Sequence, residues 1–420
     1  MSEPPFGFTG GSSDDPPAGD NPFNALFAAM GGPGADLGSV LHRLGDLFSW
    51  RGGPVNWDLA RQVAQQTVGT ADHQPDTTEQ TTVAEAVRLA ELWLDPLTTL
   101  PAGATAAEAW GRQQWIDATQ PAWAELTDPV ARKVVAAMGQ AVPGELAAQQ
   151  AAAPLLGMLG QVGGVLFGAQ LGQALGTLSG EVVGSTDIGL PLGPRGHAAL
   201  LPAGVSAFSD GLQVPLDEVR LFLALREVAH HRLFVHVPWL RAHLFGAVAA
   251  YADGIRVDTE ALESAMHDLD PNDPESLQRA LSGDSDTGLL VLQPTPEQET
   301  ALARLETALA LVEGWVDEVV AGAASEHLPK SAALREAVRR RRAVGGPAEQ
   351  TFATLVGLEL RPRRLREAAS LWAALAHARG IDGRDTIWSH PDLLPASDDL
   401  NDPEAFLARD EGDPPGLADL

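Results

Sequence analysis

Residues 146–180 carry no charged side chain, and glycine stands there at every fourth position: Gly160, Gly164, Gly168, Gly172, Gly176 and Gly180. On an α-helix, a four-residue step turns about 40° past a full revolution, so the six glycines form one slowly drifting stripe without side chains. A second backbone can approach such a stripe closely. In a membrane, G-x-x-x-G contacts join spanning helices in this way; in a soluble core, the same stripe presses against a neighbouring element. Gln161, Gln170 and Gln173 interrupt the apolar run and no basic cluster flanks it. These features favour a buried helix and make a membrane span the weaker expectation. A nucleotide-phosphate loop is excluded, because no G-x-x-x-x-G-K-[ST] is present and the glycines follow no strand-like run.

The rest of the chain repeats the helical signal. "WDLARQVAQQTV", "VAEAVRLAELWLD" and "DPVARKVVAAMGQAV" place apolar residues three and four apart. Trp57, Trp93, Trp110, Trp115 and Trp123 fall among them as core or half-buried anchors. Further helices are expected at 259–268, 295–321, 332–342 and 363–378. Short strands are expected at Ala198–Leu201 and Val205–Phe208. The predicted fold is mainly α, a multi-helix body with at most a few short strands. A Gly/Pro-rich arm at 1–36 is expected to be disordered, followed by helical regions at 37–200 and 201–395 and an acidic tail at 396–420.

Charge and cysteine content limit function. The 56 acidic residues against 28 Lys and Arg give a formal charge of −28, which argues against nucleic acid as a partner because phosphate neutralisation needs clustered cations. With no cysteine, disulfides, thiolate metal sites and cysteine nucleophiles are excluded, so a metal would fall to His, Asp or Glu. A cysteine-free chain suits a reducing cytoplasm, and "MSEPPFGFTGGSSDDPP" lacks the pattern of a secretory leader.

One stretch approaches a chemical motif. "LALREVAHHRLFVHVPWL" spans residues 223–240, on a helix expected to start at an Asp217 cap and to end before Pro238. Its "REVAH" differs from the zinc signature H-E-x-x-H at one position. In that signature two histidines four residues apart share a helix face and bind metal, and the Glu activates a metal-bound water. Here Arg226 stands where the first histidine would be, and a guanidinium has no lone pair to offer a metal. Glu227 would be the general base and His230 a ligand. His236 is a weaker ligand alternative, because Leu233 stands where the longer motif requires a bending glycine. The competing reading makes Arg220, Glu227 and His231 an ordinary polar stripe, with Phe222, Leu225 and Ala229 facing the core.

Together with "LALVEGWVDEVV" and "GRDTIWSHPDLLP", this stretch resembles the bacterial zincin-like family of zinc-dependent metalloproteases and hydrolases, with the likeness running over roughly residues 54–410. The resemblance implies a helical zincin-like domain, zinc as cofactor and a peptide or protein as substrate or partner. It also implies that Glu313 is a second metal ligand, belonging to an E-G-H pattern in which Trp315 replaces the histidine. Two readings follow. One is zinc-dependent hydrolysis of a peptide or amide bond with an incomplete ligand set. The other is an inactive binding or scaffold protein in which Arg226 takes the place of the metal and pairs with Glu313. "EAVRRRRAVGG" places Arg339–Arg342 at a helix end, where a solvated or tail-pairing role is expected.

Overall fold

The computed structural model describes residues 53–70, 72–140, 152–254, 295–343 and 364–410. The helix expected at 259–268, the N-terminal arm and the last ten residues lie outside them. In chain order the elements are α1 (Trp57–Val68), α2 (Thr77–Leu94), β1 (Ala106–Ala109), α3 (Arg112–Gln140), α4 (Ala152–Ser179), β2 (His197–Leu200) and α5 (Pro202–Ser209). They continue with α6 (Leu216–His236), α7 (Leu240–Asp253), α8 (Pro296–Ser325), α9 (Ser331–Ala343), α10 (Leu365–Thr386) and α11 (Pro403–Asp410). The fold is mainly α, as expected.

Local signals set many boundaries. Asn56 caps α1 by accepting from the Leu59 N–H. Capping boxes open α2 (Asp76 with Glu79) and α8 (Thr295 with Gln298, followed by Pro296). α6 starts after Pro215, so Asp217 lies in the first turn and is not the cap. Residues 202–209 form a helix opened by Pro202, where a strand at Val205–Phe208 was expected; proline at the first helical position is pre-organised for that outcome.

The glycine stripe lies against α1. The Asn56 N–H donates to the Gly164 carbonyl at 2.9 Å, and a Cβ on Gly168 would stand 2.5 Å from the Asn56 carbonyl oxygen. A Cβ on Gly172 would meet the Ala60 carbonyl and lie 2.8 Å from Val63 Cβ. Gly172→Val is therefore expected to destabilise by about 1–3 kcal/mol through overpacking against rigid backbone; an unchanged melting temperature would show that the two helices part freely there. Among the described residues no single helix is long and apolar enough to cross a membrane.

β1 and β2 pair in parallel, Ala106 opposite His197 through Ala109 opposite Leu200. The segment around Gly184 bridges to Leu200 on the other side. One continuous buried core runs from Val55 to Leu400, across residue 200, and Phe406 and Leu407 of α11 pack against it. Trp110, Trp115 and Trp123 are buried, while Trp57 and Trp93 are half-buried against the core. α6 is the central helix: every residue from Phe222 to Leu233 is buried, with α2 and β2 among its neighbours and α8 packed alongside. The expected polar stripe of Glu227 and His231 is thus interior, because α6 is enclosed all round and has no solvent face in that span.

Candidate functional site: a buried arginine–carboxylate cluster

Burying Arg226 and Glu227 in the middle of α6 requires partners, since an unpaired charge away from water is costly. Arg226 finds Glu313 on α8, with Nη2 2.6 Å from Oε2. The two residues are 6% and 1% exposed. The other Glu313 oxygen, Oε1, lies 2.9 Å from His230 Nε2 and 2.9 Å from Arg342 Nη1 at the end of α9. Arg342 also donates from Nη2 to the Asp187 carbonyl. Burial alone would raise the Glu313 carboxyl, but Arg342, His230 and Arg226 outweigh it and hold the group well below the usual carboxylate range. Gly189, at φ +80°, leaves room for this carboxylate; a Cβ there would stand 2.7 Å from Glu313 Oε1.

Glu227 lies beside this cluster and is engaged elsewhere. Oε1 accepts from the Ser185 hydroxyl and from the Ser185 and Ala199 N–H groups at 3.2 and 3.1 Å. Oε2 accepts from the Thr186 hydroxyl at 2.6 Å and the Thr186 N–H at 3.2 Å. His231 Nε2 stands 3.4 Å from Oε1. Burial pushes this carboxyl up, but His231 and the Ser185 and Thr186 hydroxyls more than compensate, lowering it to about 2. Five donors and a histidine fill the carboxylate's lone-pair directions. The side chain ties the 184–186 segment and β2 to α6.

The structure brings Arg226, His230 and Glu313 together, and it leaves His236 out. α6 runs on through residue 236 without a glycine bend, so His236 ends exposed, facing the Ala102 carbonyl at 3.1 Å. Trp315 is likewise engaged away from the cluster, its indole N–H donating to Asp385 at 2.9 Å. Arg342 is the site residue that the sequence left among solvated helix-end cations. Arg339 and Arg341 are also paired, with Asp317 and Asp187 respectively.

Zinc does not fit this donor set. His230 Nδ1 faces the Arg226 carbonyl at 2.8 Å, which leaves Nε2 as the ring nitrogen open to a metal, and Nε2 is engaged with Glu313 at 2.9 Å. Both Glu313 oxygens take cationic or imidazole partners. Among the described residues no group of three or more His, Asp or Glu side chains is placed to hold a metal ion, whereas zinc sites take three or four protein ligands.

The chain shares its fold with a candidate hydrolase of novel fold from Chloroflexus aurantiacus, whose crystal structure superposes with a TM-score of 0.61 at 18% sequence identity, covering 86% of this chain and 100% of that one. No curated protein matches the chain. The profile of the zincin-like metallopeptidases matches residues 55–407, nearly the whole described body, with α6 and α8 inside it. The chain belongs to the zincin-like metallopeptidase family.

Proposed function

We propose that this chain keeps the zincin-like fold as a binding or scaffold protein, with the Arg226 guanidinium standing where a metal would stand and neutralising Glu313. The observation that carries this reading is the 2.6 Å contact between Arg226 Nη2 and Glu313 Oε2 inside the core. A buried carboxylate needs a positive partner. Arginine supplies one permanently, because it stays protonated under all ordinary conditions. The saturation of Glu227 supports the same reading. A general base needs a lone pair aimed at a water, and this carboxylate spends its oxygens on Ser185, Thr186, Ala199 and His231. The partner is proposed to be a peptide or protein.

Family membership favours a second reading, zinc-dependent hydrolysis of a peptide or amide with Glu227 as base and His230 and Glu313 as ligands. It would require Arg226 and Arg342 to leave Glu313 and a further ligand to arrive. Metal analysis of protein purified without a histidine tag separates the two. Substoichiometric zinc, unchanged by added zinc, is the expected result. One zinc per chain, removed by chelator and restored together with peptidase activity, would sink the scaffold reading.

A further inference from the structure

Charge, more than apolar burial, docks the second half of α9. The apolar anchors sit towards its start: Leu334 is fully buried, Leu328 in the preceding turn packs into the same core, and Val338 follows one turn on. Beyond Val338 come four successive arginines, Arg339 to Arg342. Arg335 and Arg339 both donate to Asp317 Oδ2 on α8 at 2.6 Å. Arg341 pairs with Asp187 at 3.1 Å, donates to the Glu181 carbonyl and lies over the Phe208 ring. Arg342 reaches Glu313 at 2.9 Å and the Asp187 carbonyl at 2.6 Å.

Ion pairs that water reaches hold a helix weakly, and salt weakens them further. The Arg335 and Arg341 side chains are 30% exposed, and the screening length falls from about 10 Å at 0.1 M to about 3 Å at 1 M salt. Arg339 adds a penalty, because its Nε is buried without a partner among the described residues. Lifting the arginine end strands no charge. Arg339, Arg341 and Arg342 would enter water, Asp317 would keep Arg335 close to Leu334, and Glu313 would keep Arg226 and His230. An element with few buried apolar contacts and such replaceable pairs opens at a lower free energy than the core around it.

We propose that α9 is a lid over the Arg226–Glu313 cluster, pivoting about Leu334 and latched by Arg339, Arg341 and Arg342. Its arginine end closes the small hollow lined by Val183, Leu223, Arg226 and His230, to which α9 contributes Arg342. Opening takes Arg342 off Glu313 while the body beneath stays folded. The lid responds to ionic strength, and so to whatever competes for its arginines. It stands whichever of the two functional readings holds.

The chain has no cysteine, so one introduced thiol in the full chain reports one position. Val338→Cys places it on the buried side of α9, Val183→Cys in the hollow and Val316→Cys in the α8 core. Each is reacted under native conditions with an uncharged maleimide, and its rate is taken relative to the same variant unfolded in urea. Between about 0.1 M and about 1 M sodium chloride the rates at 338 and 183 are expected to rise about fivefold or more, with 316 unchanged. Adding Asp317→Asn to Val338→Cys is expected to speed the reaction at the lower salt and to shrink the salt effect. Should that variant fail to fold, Arg339→Gln, at a part-exposed position, takes its place with the same expectation. A rate at 338 that ignores salt overturns the lid, as does equal acceleration at 316, which reports loosening of the whole body. A residue 183 that stays closed while 338 opens shows that α9 lifts without uncovering the cluster, and overturns it too. An unchanged low-salt rate in the folded latch variant overturns the latch.

Discussion

Glu313→Gln is expected to lower folding stability by about 3–5 kcal/mol, the usual cost of removing one member of a buried ion pair. The loss exceeds that of a hydrogen bond because Arg226, 6% exposed, would keep its charge without the carboxylate it pairs with, and Arg342 would lose the same partner. Urea denaturation near neutral pH reads the effect directly. Adding Arg226→Met to Glu313→Gln is expected to recover part of the loss, because the double variant removes the stranded charge, with a coupling of roughly 0.5–3 kcal/mol between the two sites. A Glu313→Gln protein within about 1 kcal/mol of the parent would show that Glu313 does not neutralise the two arginines.

Acid is expected to remove a comparable amount through Glu227. Its folded-state pKa is about 2, against an ordinary value of 4.5. The folded state therefore binds a proton less readily than the unfolded one. Its contribution is fully present above about pH 4.5 and is lost as pH falls towards 2 and below. A shift of that size corresponds to about 3 kcal/mol. Glu313, also lowered, acts in the same direction. Denaturation midpoints at about pH 6 and about pH 3 check the sign: Glu227→Ala should start less stable and lose less between them. Equal losses in parent and variant would mean that this carboxylate is not ionised in the folded core.

The helices that carry the site were legible in sequence because their signals are local. The Thr295, Pro296 and Gln298 cap of α8 and the apolar three-and-four spacing from Leu302 to Val319 need no distant information. The meeting of Arg226 with Glu313 was legible too, through the pairing of a cationic replacement with a missing histidine. Arg342 was not, because a cation at a helix C-terminus is already accounted for by the helix dipole. Only tertiary packing brings it to Glu313. β1 escaped for a similar reason: "AAEA" has no strand propensity, and its partner lies ninety-one residues on, Ala106 against His197. The burial of Glu227 depends on donors from Ser185, Thr186 and Ala199, which no pattern within α6 announces.

Asp385 accepts from Trp315 on α8, from its neighbour Arg384 and, at 2.6 and 2.8 Å, from the Thr98 hydroxyl and the Thr99 N–H, 287 and 286 residues earlier. A chain emerging from the ribosome cannot close that contact until residue 385 is free, and α6 likewise waits for α8 before its arginine has a counter-charge. Loop-closure entropy over such separations slows the search. This body therefore cannot complete its packing before Asp385 has left the ribosome, and the interval until then is when the unfinished α6 core is most exposed to aggregation or to a chaperone.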